Sequence, residues 1–329
     1  MRAPDTTAPA WRLRPVQADD PEIAACVAVV NAVRPDEPTS VEQVRWGDAT
    51  YPGGARFLVE LDGRVVATAS TGRIYMYPAD HPDLWLGIDV LPEARRRGIG
   101  SALYRALSDA ARDRGKHGFQ TDVTADQTDG LAFLASHGFT EIERMATVRL
   151  DLTGLAAPAT EPPAGVTITT LAQRPELVTE VYTVAVASFP DIPSGEPMAV
   201  GSFDEFRARD VDRPGMPADG FFLAVDEGID EVVGYASLLL LPAPSQVAWH
   251  DMTAVLPSSR GRGIAGALKR ASIAWAIGAG LTALETGNDL ANAPMRAVNA
   301  RLGYRPRPDL IGFKGPLAPI DGPSAIVSP

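Results

Sequence analysis

Two short runs of glycine and arginine carry the clearest chemistry in this chain. Arg95-Arg96-Arg97-Gly98-Ile99-Gly100-Ser101 follows Val90, and Arg260-Gly261-Arg262-Gly263-Ile264-Ala265-Gly266 follows Val255. Each lies between an apolar run and a stretch of helical periodicity, which predicts a strand–loop–helix junction. A helix N-terminus presents unsatisfied N–H groups and a positive dipole end, both suited to a phosphate. Gly98, Gly100, Gly263 and Gly266 would leave no Cβ between such an anion and the backbone. Arg95, Arg96, Arg97, Arg260 and Arg262 would add positive charge. A tight turn with a solvated basic face would have the same composition, and it is the second copy in the same context that favours the anion. The register matches neither a Walker loop, which needs Gly-x-x-x-x-Gly-Lys, nor a dinucleotide fingerprint with its third glycine and an acid about 20 residues on.

The elements around these loops are duplicated. Val90-Leu91-Pro92 returns as Val255-Leu256-Pro257, Gly138-Phe139 as Gly303-Tyr304, and Phe57-Leu58 as Phe222-Leu223, each pair 165 residues apart. A constant spacing over separated landmarks reads as a tandem repeat. The units are 1–152 and 165–329, joined by a Pro/Ala-rich linker over 153–164. The last residues, 322–329, read as a frayed or draped tail. In the first unit the pattern predicts a strand at 11–15, helices at 21–33 and 41–46, and a hairpin 56–61/64–70 turning at Asp62-Gly63. A strand at 84–90 leads into the glycine loop and a helix with Leu103, Leu107 and Ala110 on one face. Strand 118–123, helix 129–136 and strand 140–150 close the unit. The second unit repeats this order, with strands at 248–255, 281–285 and 310–314 and helices at 264–279 and 293–300. Strands and helices mix without strict alternation, so each unit is α+β, a mixed central sheet flanked by helices.

The composition narrows the partners. Against 30 Lys+Arg stand 41 Asp+Glu, a formal net charge of −11 over 329 residues. Nucleic acid binding needs a basic surface, which this chain lacks; a cationic or amine-bearing small substrate is compatible. Cys26 is the single cysteine and the four histidines show no metal-ligand spacing, so neither a disulfide nor a metal is expected. Cys26 itself reads as a small core residue. No apolar run approaches the ~20 residues of a bilayer crossing and the N-terminus lacks a signal-peptide pattern, so the expected address is cytoplasmic.

The motif Val-x-Pro-x-x-Arg-x-x-Gly-x-Gly/Ala, with helix and Gly-Phe/Tyr some 40 residues later, resembles the GNAT acyl-CoA N-acyltransferase superfamily. The resemblance covers both units, in a mycothiol synthase-like tandem architecture. It implies acetyl-CoA or another acyl-CoA as co-substrate, with its diphosphate held by N–H groups of residues 96–101 and 262–266. It also implies that the backbone at Val90 and Val255 binds the thioester carbonyl. The acceptor and the acyl length are outside what the motif encodes. A small-molecule amine is expected, on a monomer with an internal pseudo-dimer or on a homodimer.

An amine attacks a thioester only when neutral, so the site needs a base, an oxyanion donor and a proton for the thiolate. Strand alternation puts Asp251 and Thr253 on one face with Val255, and His250 on the other. Asp251, four residues before Val255, stands where the resemblance places a base; an edge salt bridge is the alternative. Glu285, at the end of the next strand, is the second candidate, or a solvated charge. The matching first-unit residues are the uncharged Leu86 and Gln120, which points to the second unit as the catalytic one. The resemblance implies a coenzyme A contact at Asn292, with helix scaffolding as the alternative. It implies a thiolate-protonating Tyr seven residues later, where this chain has Asn299. A water on Asn299, Tyr304 or solvent could supply that proton. Two further possibilities stay open: a catalytic first unit using Asp89 or Asp122, and a non-catalytic acyl-CoA-binding protein. Acceptor specificity is expected in 31–51 and 189–213, which align poorly between units, and Trp249 is either core or a substrate wall.

Overall fold

The computed structural model describes residues 11–320, apart from 195 and 197. The expectations for the first ten residues and the tail 322–329 lie outside the described residues. The first half opens with β1 (Trp11–Pro15), α1 (Asp20–Val33) and α2 (Val41–Thr50). Asp19 and Ser40 cap the two helices, each accepting from a backbone N–H three residues on. The hairpin β2 (Ala55–Leu61)/β3 (Arg64–Gly72) turns at Asp62 and Gly63, both at positive φ. There follow β4 (Asp83–Val90), α3 (Ile99–Arg112), β5 (Gly118–Thr124), α4 (Thr128–Ser136) and β6 (Thr140–Asp151). The second half repeats the order with β7 (Val166–Thr170), α5 (Val178–Ser188) and α6 (Phe203–Phe206), which widens into a π-helix over Arg207–Val211. Then come β8 (Phe221–Asp226), β9 (Glu231–Leu240), β10 (Val247–Val255), α7 (Ile264–Gly278) and β11 (Ala283–Asp289). The chain closes with α8 (Ala293–Arg301), β12 (Arg305–Pro306) and β13 (Leu310–Pro316).

One sheet runs through both halves in the order β1-β2-β3-β4-β5-β13-β6-β11-β10-β9-β8-β7. The last strand of each half does not close its own unit. β6 pairs antiparallel with β11 from Ala283↔Asp151 to Asp289↔Met145, and β13 lies between β5 and β6. The exchange covers two sheet edges that would otherwise present unpaired backbone groups. Gly315 shows how closely the exchanged strand packs: a Cβ there would stand 2.4 Å from Phe139 of the first half.

Both sheet faces are covered. α3 seats Leu103, Leu107 and Ala111 in the first core, each 0% exposed; Ala110, the expected third member, is one residue off the buried stripe. In the second half, Val181, Val184 and Phe206 pack on one face, and Ile264, Leu268 and Ala271 on the other. Cys26 is buried, as expected. No described helix is long and apolar enough to cross a membrane.

The sheet opens at two places. β4 and β5 are parallel neighbours only from Asp83↔Gly118 to Trp85↔Gln120, and β10 and β11 only from Val247↔Ala283 to Trp249↔Glu285. Beyond those pairs each couple of strands diverges as a fork. In β10 a bulge falls between His250↔Leu238 and Met252↔Ser237, leaving Asp251 as the extra residue.

Candidate active site

Each fork leads to one glycine loop. Gly98 and Gly263 cap α3 and α7 in the left-handed conformation, at φ 78° and 82°. Gly261 also has positive φ, whereas its counterpart Arg96 holds φ 59°, a strained position that costs of order 1 kcal/mol. Among the described hydrogen bonds, the N–H groups of Arg96, Arg97, Gly98, Ile99, Gly100 and Ser101 find no acceptor, nor do those of residues 261–266. Two runs of outward-facing amides at helix N-termini form suitable seats for a diphosphate.

The side chains of the loops divide differently from expectation. Arg95 and Arg260 turn inward: their Nε atoms donate to the carbonyls of Val90 and Val255, both at 3.1 Å. Arg95 also pairs with Asp129, Arg260 with Asp191 and Arg262 with Asp226. Arg96 and Arg97 have no ion-pair partner among the described residues. A Cβ on Gly100 would meet Phe133 at 3.1 Å, so that glycine serves close packing inside the fold, whereas one on Gly266 would meet only the end of Arg270 at 3.5 Å, an ordinary contact. The linker also reaches the second loop: Arg270 Nε donates to Ala159 O at 3.0 Å, and Pro163 lies 3.8 Å from a Cβ on Gly263.

The strand ends aim backbone donors into the forks. Leu256 N donates to Val233 O, and Leu91 N to Val66 O, both at 2.9 Å. Antiparallel neighbours alternate hydrogen-bonded and open pairs, so the N–H of Val255, opposite Gly234, points away from β9 into the fork. Val90, opposite Ala67, is placed the same way. A backbone N–H therefore points into the mouth of each fork, placed as an oxyanion donor would have to be.

The bulge corrects the expected orientation in β10. Thr253 Oγ1 lies 3.2 Å from His250 Nε2, so His250 shares the α7 face with Thr253 and Val255. Asp251 is on the opposite face, beside Arg209, Asp210 and Arg213 near the π-helix. The extra residue resets the two-residue alternation. Burial pushes the Asp251 carboxyl up to about 6, and Asp210 adds to the rise against Arg213 and Arg209.

Glu285 sits inside β11, opposite Arg149, and its Oε1 accepts from Arg149 Nη1 at 2.5 Å. It is an ion-paired cross-strand residue. Asn292 caps α8, with Oδ1 accepting from Met295 N at 3.3 Å, so the scaffolding role is the one its side chain fills. Asn299 is buried and donates from Nδ2 to Asn288 Oδ1 at 2.7 Å, and its own Oδ1 has no partner. Tyr304 is buried with an unpartnered hydroxyl, and burial holds that hydroxyl well above its ordinary range.

In the first half, Asp89 is held by Arg34 at 3.0 Å and stays raised because burial outweighs that partner. Asp122 is pushed up to about 7, first by burial and then by Glu37. Trp249, Glu37 and Glu285 line a cleft of about 160 Å³ between the halves; a second, of about 450 Å³, lies beside Tyr51, Arg73 and Glu205. Both clefts use the 31–51 segment, and the larger also uses the 189–213 segment.

Sequence spacing missed two clusters that only folding assembles. His81, Asp83 and Glu196 bring ligand atoms within 4.8 Å of one another. Lys314 Nζ bridges that group, at 2.9 Å from Asp83 and 2.8 Å from Glu196, so an ammonium occupies the cation's place. Lys269 on α7 is 1% exposed and lies with Nζ over the Tyr304 ring at 5.5 Å. A lysine buried in a helix that is otherwise apolar on that face was the available signal.

A family model described as the acetyltransferase (GNAT) family matches twice, over residues 21–139 and 178–304. The mycothiol acetyltransferase of Thermomonospora curvata is 26% identical over 287 residues, covering 87% of this chain and 91% of the relative. That of Actinosynnema mirum is 27% identical over 263 residues, covering 77% and 80%. A tandem GNAT protein from the clavulanic acid biosynthesis pathway shares the fold with a TM-score of 0.76 at 23% identity, covering 94% of this chain and 100% of that one. A GCN5-related N-acetyltransferase from Sphaerobacter thermophilus does so with a TM-score of 0.71 at 19% identity, covering 94% and 96%. With two family matches on two forked half-sheets, the chain is an acyltransferase of the GNAT acetyltransferase family.

Proposed function

We propose that the chain transfers an acyl group, acetyl in the first instance, from an acyl-CoA to a small-molecule amine, and that the second of two units (1–152 and 165–329, linked by 153–164) does the chemistry. The observation that carries this is the polar character of the second fork. His250, Thr253, Thr286 and Asn299 surround it, where the first half has Trp85, Ile88, Thr121 and Leu134 at the positions 165 residues earlier. The N–H run over 261–266 would hold the diphosphate, and the Val255 N–H would take the thioester carbonyl and then its oxyanion. Asp251, near 6, is ionised at neutral pH and close enough to the working range to accept the amine proton. The amine would attack the thioester directly, since the single cysteine, Cys26, is buried in the first half and its thiol is pushed up by burial. The smaller cleft is lined by both signs, Asp36, Glu37 and Asp126 with Arg34 and Arg307, and Asp36 is already paired with Arg307.

One observation favours a second reading, with the first half catalytic: Asp122, at about 7, is also poised to act as a base. Titration calorimetry with acetyl-CoA and thiol release with a panel of amines separate the two. Gly263→Glu puts a carboxylate and a strained side chain in the second seat, and Gly98→Glu does the same in the first. Loss of turnover in Gly263→Glu alone supports the proposal. Loss in Gly98→Glu alone moves the chemistry to the first half. Binding without turnover for every amine leaves an acyl-CoA-binding module.

A further inference from the structure

The second fork holds a group that no step above uses. Lys269 is 1% exposed and makes no hydrogen bond or ion pair among the described residues. Its two neighbours His250 and Tyr304 carry buried polar atoms without partners, His250 Nδ1 and Tyr304 Oη. Buried polar groups in a finished fold are nearly always satisfied. Two orphans beside one uncompensated amine mark a place that a ligand group completes. At the positions of Lys269, Asn299 and Tyr304 the first half has Tyr104, Leu134 and Phe139, which pack together in its core, and there Tyr104 donates to Pro316 O. The packing is closed in one half and incomplete in the other.

The location gives the cluster a role. Thr286 Oγ1 donates to His250 O at 3.0 Å, one residue past the last β10–β11 pair, and so latches the fork at its apex. His250 and Thr253 line the α7 face there, and Lys269 reaches the same side from α7. A thioester whose carbonyl sits on the Val255 N–H has its sulfur in this fork. We propose that Lys269 is the proton donor to the departing thiolate, taking the place of the tyrosine that Asn299 replaces. This rests on the acyl-CoA reading of the same site. As the amine nitrogen bonds to the carbonyl carbon, the C–S bond breaks and its electron pair leaves on sulfur. The Lys269 ammonium gives its proton to that sulfur, and Asp251 takes the proton shed by the amine. On product release water carries the Asp251 proton back to the lysine.

The titratable groups facing Lys269 are His250 and Tyr304, with no carboxylate among them. Burial alone brings the amine down to about 7, below an alkyl thiol near ~8.5, so transfer to the thiolate is downhill.

The test compares the wild-type chain with Lys269→Met and Lys269→Arg on acetyl-CoA and on p-nitrophenyl acetate, whose leaving group needs no proton. Calorimetry with coenzyme A serves as a readout independent of turnover. Lys269→Met is expected to bind coenzyme A as the wild type does, to lose roughly 10²-fold in kcat on acetyl-CoA, and to keep its rate on p-nitrophenyl acetate. It should also lose the falling limb of the kcat–pH profile, and Lys269→Arg should shift that limb upward. Equal losses on both donors, or weakened coenzyme A binding, would reduce Lys269 to a packing role and overturn the proposal. So would an unchanged kcat. A wild-type chain that neither binds coenzyme A nor turns over sinks the acyl-CoA reading itself, a result distinct from any of these.

Discussion

The two halves spend their polar groups in opposite places. In the first, Tyr104, Leu134 and Phe139 pack into the apolar core beside the fork, while the loop's Arg96 and Arg97 have no ion-pair partner among the described residues. In the second, the fork holds His250, Lys269, Asn299 and Tyr304, while Arg260 and Arg262 are paired with Asp191 and Asp226 and the linker lies against the loop. Two copies of one fold with similar loops thus differ most in what their forks bury. Apolar filling stabilises one fork as a scaffold, and uncompensated polar burial in the other costs stability that only a function can justify.

The largest expected effect tests the chemistry of that contrast. Asp251→Asn should lower kcat/KM by roughly 10²-fold or more, with coenzyme A binding retained. The wild-type rate should rise with pH through about 6 as the Asp251 carboxylate forms. An apparent pKa nearer 7 that disappears in Asp122→Asn would transfer the catalytic role to the first half.

Next in size is stability. Lys269 binds its proton less readily folded than unfolded, since its amine falls from 10.5 to about 7. Between those values the unfolded chain carries more protons, so stability rises with pH across that window. Removing the charge in Lys269→Met should raise Tm at pH 7, by the equivalent of about 1–4 kcal/mol, and flatten the rise. Asp251 works in the other direction: raised from 3.8 to about 6, it favours the folded state as pH falls through 6 towards 4. Thermal melts of both variants across pH 4–10 would read the two slopes.

Gly315→Ala probes the exchanged strand. The added methyl enters the Phe139 ring and should cost about 1–3 kcal/mol, with hydrogen exchange rising in β5 and β6 of the first half. Protection lost only within the second half would contradict the exchange. The smallest effect belongs to Lys314→Ala. That ammonium is 40% exposed between Asp83 and Glu196, so solvent discounts it and the expected loss is below about 1 kcal/mol in a denaturant titration.

Much was legible in the residues because it is local. The repeat, the hairpin at Asp62-Gly63, the two loops and the neutral counterparts of Asp251 and Glu285 are all properties of short spans. What escaped was non-local. Where strand propensity points to 281–285, β11 runs over Ala283–Asp289, because Gly287 and Asn288 disfavour strand in isolation but β6 holds the strand extended to Asp289. Glu285 thus became a mid-strand ion pair with Arg149, and Asn292 a helix cap.

By itself the sequence determined the family, the duplication and the two glycine-capped helix starts, since those need only their own neighbours. Tertiary structure alone decided that the final strands are exchanged, that one bulge turns Asp251 away from Val255, and that Lys269 meets His250 and Tyr304 out of reach of the surface. Edge pairing, side-chain facing and burial depend on what the rest of the chain brings to each residue. A carboxylate or an amine takes its proton affinity from that company rather than from its place in the chain.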